Sequence, residues 1–189
     1  GIGTSAGGLA ALRRLLNNTP NDTGMAFVII QHLSPDHNSE LPQILQKSTA
    51  MPVTSIDQDR TPLQANHVYV ISPDHSLCLE DGVLQLLELD RSQGSRAVID
   101  VFFRSLAKDM QRHAVGIILS GTGSDGTQGL GIIKEHGGIT VVQDFQDAEF
   151  SDMPRNAMHA NLVDLCERAA DIPRALLDLI QREGSLLFL

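Results

Sequence analysis

Short apolar, β-branched runs alternate with segments of helical period along almost the whole chain, and no other feature constrains the fold so tightly. A strand reads as a continuous apolar run when crossover helices cover both faces of a parallel sheet. Residues 25–30, 67–71, 114–119, 139–142 and 162–165 fit that description, each bounded by polar residues or glycine. The helical segments 9–16, 41–47, 98–110, 130–135 and 173–182 supply the covers, and in the third Val98, Phe102, Leu106 and Met110 share one face. The pattern predicts an α/β fold, three-layer α/β/α, with a doubly wound and mainly parallel sheet. Residues 77–79 and 83–87 flank Glu80-Asp81-Gly82 and predict an antiparallel hairpin at one edge, because Asp-Gly supplies the positive φ of a tight turn.

The 189 residues fit a single catalytic unit spanning 1–189. Its opening, Gly1-Ile2-Gly3, places a turn directly after a strand stub, so the unit is read as excised from a longer protein. Fourteen Lys and Arg against 23 Asp and Glu give a net charge of -9 with no basic run, which argues against nucleic acid and anionic membrane surfaces as partners. Cys78 and Cys166 lie far apart without a paired spacing, and an intracellular, cytoplasmic location is expected. No apolar run approaches the ~20 residues of a membrane-spanning helix, so membrane insertion is not expected. No internal repeat or low-complexity tract is present.

Open parallel sheets bind ligands at the carboxyl ends of their strands, which singles out 3–8, 31–38 and 120–129. Gly3-Thr4-Ser5-Ala6-Gly7-Gly8 has the Gly-x-Ser-x-Gly form of a sharp strand-to-helix turn that presents a serine hydroxyl. A hydroxyl needs a base, and the next strand delivers Gln31-His32 at its end. The loop Ser120-Gly121-Thr122-Gly123-Ser124-Asp125-Gly126 then offers Asp125 to orient the imidazole. His37 is the second choice of base, whereas His67, His75, His113, His136 and His159 read as ordinary strand- or helix-edge residues. No metal-ligand spacing is present, so no metal and no cofactor are expected. A dinucleotide reading also exists, since Gly1-x-Gly3-x-x-Ala6 fits the fingerprint, but the second strand ends in Gln31-His32 instead of the ribose-binding acid.

These motifs, together with Ile99-Asp100-Val101-Phe102-Phe103-Arg104-Ser105-Leu106-Ala107, Ala114-Val115-Gly116-Ile117-Ile118-Leu119 ahead of the glycine-rich loop, and Met153-Pro154-Arg155, resemble the catalytic domain of the CheB family of chemotaxis protein-glutamate methylesterases. The resemblance implies an α/β/α fold and a Ser5, His32, Asp125 triad. It implies hydrolysis of γ-glutamyl methyl esters on methyl-accepting chemotaxis receptors, and deamidation of receptor glutamines. Backbone N–H groups of Ala6 and Thr122 are expected to meet the oxyanion, by loop position. Arg155, expected in a loop after 139–142, is a site-shaping residue by the family match; Met153 and its neighbour Phe150 read first as packing residues. Family members carry a receiver, methyltransferase or sensory domain beside this one, and such a covalently linked partner is expected outside the chain. Ala6 and Thr122 depart from the family's usual Thr and Met, and Gly94-Ser95-Arg96-Ala97-Val98 lacks most of its usual His and Arg, which bears on substrate docking. The alternative from another class is a catalytically silent receptor-binding module.

Overall fold

The computed structural model describes residues 1–31, 40–72, 75–88 and 97–186. A seven-stranded sheet runs through its centre. In chain order its strands are β1 (Ile2–Thr4), β2 (Ala26–Gln31), β3 (Val53–Ile56), β5 (His67–Ile71), β8 (Val115–Ile118), β9 (Ile139–Gln143) and β10 (Leu165–Glu167). Every pairing within it is parallel, in the spatial order β10-β9-β8-β1-β2-β5-β3. The chain leaves β1 in one direction toward β2 and later leaves β8 in the other toward β9. The crevice between β1 and β8 is therefore the topological switch point of the sheet.

Both faces are buried, as the apolar runs require. Ile29, Ile117 and Val141 point into one core with Leu12, Leu15 and Leu16 of helix α1 (Gly8–Asn17), Leu45 of α2 (Leu41–Gln46) and Ile172 of α6 (Ile172–Leu186). Their neighbours Ile30, Ile118 and Val142 point into the other core, with Phe102 and Phe103 of α3 (Val98–Met110), Leu130 of α4 (Thr127–Glu135) and Met153 of α5 (Asp152–His159). Consecutive residues serve opposite faces because the strand period is two.

The hairpin forms as expected from β6 (His75–Glu80) and β7 (Val83–Glu88), with positive φ at Asp81 and Gly82. It joins β4 (Thr61–Pro62) in a separate three-stranded antiparallel sheet, order β4-β7-β6. Leu77, Leu79 and Leu84 pack this sheet onto the α3 core.

Three local differences from the sequence reading have physical causes. β3 is a half-buried edge strand, Val-Thr-Ser-Ile, with no apolar run to announce it. The last strand begins at Leu165, after Leu162 and Asp164 are engaged by Thr140, whose single hydroxyl hydrogen is shared between the Leu162 carbonyl and the Asp164 carboxylate. Arg155 lies in helix α5, not in a loop; Pro154 hid the helix, but it falls in the first turn, where a missing N–H costs nothing.

Candidate active site

β1 ends at Thr4, whose wholly buried hydroxyl donates to the Ser120 carbonyl at 2.7 Å, while the Ser5 N–H donates to the same oxygen at 3.1 Å. The chain then turns through Gly7, at φ 71°, into α1. That left-handed residue lets Ser5 stand at the strand end with its carbonyl accepting the Gly8 N–H at 3.1 Å. The Ser5 Oγ accepts the Thr122 N–H at 3.0 Å and lies 3.5 Å from the Met153 sulfur. The nucleophile expected from sequence is thus held from the second loop, by the backbone of one of the two expected oxyanion donors.

That second loop is braced from several sides. Ser120 is fully buried: its N–H donates to the Gln143 side chain at 2.9 Å, its hydroxyl donates to the Ala6 carbonyl at 2.8 Å, and the hydroxyl accepts the Phe150 N–H at 3.0 Å. Gly121 exchanges backbone bonds with the α5 approach, its N–H donating to Phe150 and its carbonyl accepting from Met153. A Cβ on Gly121 would lie 2.6 Å from Ser5 Oγ and 2.1 Å from the Met153 sulfur, so only glycine leaves the serine its place. Asn156 of α5 donates to the Gly123 carbonyl at 2.7 Å.

Asp125 sits at the end of the same loop, half-buried, and its two carboxylate oxygens accept the N–H groups of Ile99 and Asp100 at 3.0 Å each. His32 and the second-choice base His37 lie outside the described residues, as do residues 94–96 of the altered segment. Thr4 is paired with Gln31, the last residue of β2. Among the other histidines, His67 stacks on Tyr69 and a ring nitrogen of His136 bonds its own helix at the Ile132 carbonyl.

Met153 is wholly buried yet touches the Ser5 hydroxyl, so it packs the core and contacts the serine at once. The Arg155 guanidinium lies 5.1 Å over the Phe145 ring at the surface. Phe145, Phe150 and Leu9 are 38%, 40% and 36% exposed. Of these, Phe150 packs on the Ser5 turn, where a Cβ on Gly7 would stand 3.0 Å from its ring. The sequence reading gave no role to Ser120, Gln143 or Asn156; a hydroxyl directly after the buried run 114–119, at the head of the glycine-rich loop, was the available signal for Ser120.

A serine hydroxyl at the switch point of an open parallel sheet, held by a backbone N–H of the neighbouring loop, is the arrangement of a serine hydrolase on an α/β/α frame. The CheB methylesterase family model matches residues 1–176, and the chain belongs to that family. A relative from Leptospira interrogans, named as a putative protein-glutamate methylesterase/protein-glutamine glutaminase, is 37% identical over 164 residues, covering 86% of this chain and 84% of that protein. A Vibrio vulnificus protein-glutamate methylesterase/protein-glutamine glutaminase is 34% identical over 183 residues, and the chain spans 53% of its length. The crystal structure of the Thermotoga maritima CheB methylesterase catalytic domain superposes with a TM-score of 0.85 at 26% identity, covering 94% of this chain and 96% of that one. No helix among the described residues is long and apolar enough to cross a membrane.

Proposed function

We propose that this domain hydrolyses γ-glutamyl methyl esters on methyl-accepting chemotaxis receptors and deamidates receptor glutamines, with Ser5, His32 and Asp125 as its triad. The observation that carries the reading is the Ser5 hydroxyl at the switch point, bonded by the Thr122 N–H, in a chain of the CheB methylesterase family. Ser5 Oγ attacks the ester carbonyl while His32 takes its proton; the tetrahedral intermediate collapses and His32 returns the proton to the leaving methoxide, releasing methanol. Water then attacks the acyl-enzyme with His32 as base, giving the glutamate and restoring Ser5. With a glutamine substrate the leaving group is ammonia. Asp125 holds the imidazole tautomer and stays ionised throughout.

The Thr122 and Ala6 N–H groups are the oxyanion donors of this proposal, Thr122 from the glycine-rich loop and Ala6 from the turn before α1. The exposed Phe150 beside the Ser5 turn is an apolar contact that an amphipathic receptor helix could use. A covalently linked receiver, methyltransferase or sensory domain is part of the same proposal, supported by the chain's 53% share of the Vibrio relative. A cytoplasmic location is the corresponding assignment for its site of action.

The test is methanol release from methyl-esterified receptor cytoplasmic fragments by the wild-type chain and by Ser5→Ala. Release that depends on Ser5 supports the reading. A folded wild-type chain that releases no methanol from any receptor overturns it in favour of a silent receptor-binding module.

A further inference from the structure

Helix N-termini leave four backbone N–H groups without intrahelical partners, and side-chain oxygens usually meet some of them. Helices α3 and α4 lack such a cap of their own: their N-cap residues are Ala97 and Gly126, and neither makes a side-chain cap bond. Each helix is capped by the other. Asp125, just before α4, accepts the Ile99 and Asp100 N–H groups in the first turn of α3. Asp100, in that first turn of α3, accepts the Gly129 N–H in the first turn of α4 at 2.6 Å and also faces the Gly126 N–H. The helices meet closely here, since a Cβ on Gly129 would stand 2.5 Å from the Cβ of Phe103 and 3.2 Å from the Asp100 Cα.

The exchange is asymmetric in cost. Asp100 is only 8% exposed, and its carboxyl is pushed up by burial, opposed by the Gly129 and Gly126 N–H groups and the Arg104 charge and reinforced by the nearby charge of Asp125. A neutral Asn could accept the Gly129 N–H at a smaller desolvation cost.

We propose that Asp100 is a positioning residue for Asp125: by tying the start of α4 to the start of α3, it fixes the loop on which Asp125 stands. The inference rests on the assignment of Asp125 to the triad. With α4 held by Asp100 and α3 held by Asp125, the Asp125 carboxylate is located by a closed ring of contacts. Removing the Asp100 carboxylate opens the ring at Gly129 while the backbone N–H groups of Ile99 and Asp100 remain available to Asp125.

The test uses the full chain with Asp100→Ala and Asp100→Asn, each alone and combined with Asp125→Asn. The readouts are kcat and KM for methanol release, and amide hydrogen exchange at Ile99, whose N–H is held by Asp125. Asp100→Ala is expected to lower kcat about 10- to 100-fold through misplacement of Asp125, to leave KM within about 2-fold, and to speed Ile99 exchange. Asp100→Asn keeps an acceptor for Gly129 and recovers most of both effects. In the Asp125→Asn background, Asp100→Ala changes kcat no further, because the residue acts through Asp125. Asp100→Val, which fills the site with a side chain of similar size that has no acceptor, gives the same comparison should Asp100→Ala fail to fold. Equal losses of kcat in both backgrounds would mark a merely structural residue and overturn the proposal, as would kcat and Ile99 exchange unchanged from wild type. If the wild-type chain releases no methanol, the esterase reading fails by itself, and Ile99 exchange still decides whether Asp100 holds the Asp125 loop.

Discussion

Two carboxylates, Asp164 at the amino ends of the strands and Asp100 at their carboxyl ends, are treated in opposite ways. At the amino end of β9, Asp164 accepts the Thr140 N–H at 2.9 Å and the Thr140 hydroxyl at 2.8 Å, and it pairs with Lys134 from the last turn of α4. Burial pushes its pKa up, but the Lys134 ammonium and the two Thr140 donors outweigh that and hold it below the ordinary carboxylate value. At the carboxyl end of β8, Asp100 has backbone N–H groups and a more weakly opposing Arg104, stands near a second carboxylate, and is held above that value, chiefly by burial. Asp164 is a carboxylate stabilised by its partners, whereas Asp100 keeps a raised carboxyl beside the loop that carries Asp125.

Four experiments break or sharpen this contrast. The largest effect is expected from Asp125→Asn, which should lower kcat for methanol release by about 10^4-fold if Asp125 holds the tautomer of the catalytic imidazole. Far-ultraviolet circular dichroism should match wild type, and a loss below about 10-fold would remove Asp125 from the triad. Next, Gly121→Ala drives a methyl group against Ser5 Oγ and Met153, and about a 100-fold loss in kcat is expected while the melting temperature moves little. Full activity in that variant would mean that the serine tolerates displacement.

At the other end of the sheet, Asp164→Ala leaves the buried Thr140 hydroxyl and N–H with one acceptor fewer. Urea denaturation should show a loss of about 1–3 kcal/mol with unchanged kcat per folded molecule. A fall in kcat would show that the two ends are coupled. The smallest effect is the pH dependence of stability. Asp164, with its folded pKa lowered, binds fewer protons folded than unfolded; its contribution is complete above the unfolded value and is lost as pH falls through the folded one. Asp147 behaves likewise: burial raises it, but the Ala169 N–H, the Gln143 side chain and the Arg14 and Arg168 charges together hold it down. Asp100 has the reverse sign. Its folded pKa is raised, so the folded state binds more protons and stability falls as pH rises from the unfolded value through the folded one. Urea titrations between pH 4 and 8 should therefore show Asp100→Asn gaining stability relative to wild type toward pH 8. A parallel pair of curves would mean that Asp100 carries no such burden.

Much of the frame was legible because it is written in local periodicity. The runs at 67–71 and 139–142 became β5 and β9, and the face of Val98, Phe102 and Leu106 became the buried side of α3. The Gly-x-Ser-x-Gly turn was readable for the same reason, since its conformation depends on residues adjacent in sequence. The missing pieces lack such a signal. β3 is a short, mixed strand recognised by its pairing with β5 and by the burial of Ile56, and α5 looks broken by Pro154 until the proline is seen to lie in the first turn.

By itself the sequence determined a parallel sheet covered on both faces, a serine at the end of its first strand, and a glycine-rich loop ending in Asp125. Only the tertiary structure decided that the Thr122 N–H meets Ser5, that Ser120 ties both loops together, that Arg155 stacks on Phe145 from a helix, and that Asp100 and Asp125 cap each other's helices. The reason is physical. Periodicity records which face of an element is buried, but a polar group finds its partner through space, across separations of 29 residues for Asp100 and Gly129 and 117 for Thr122 and Ser5, where no local pattern reaches.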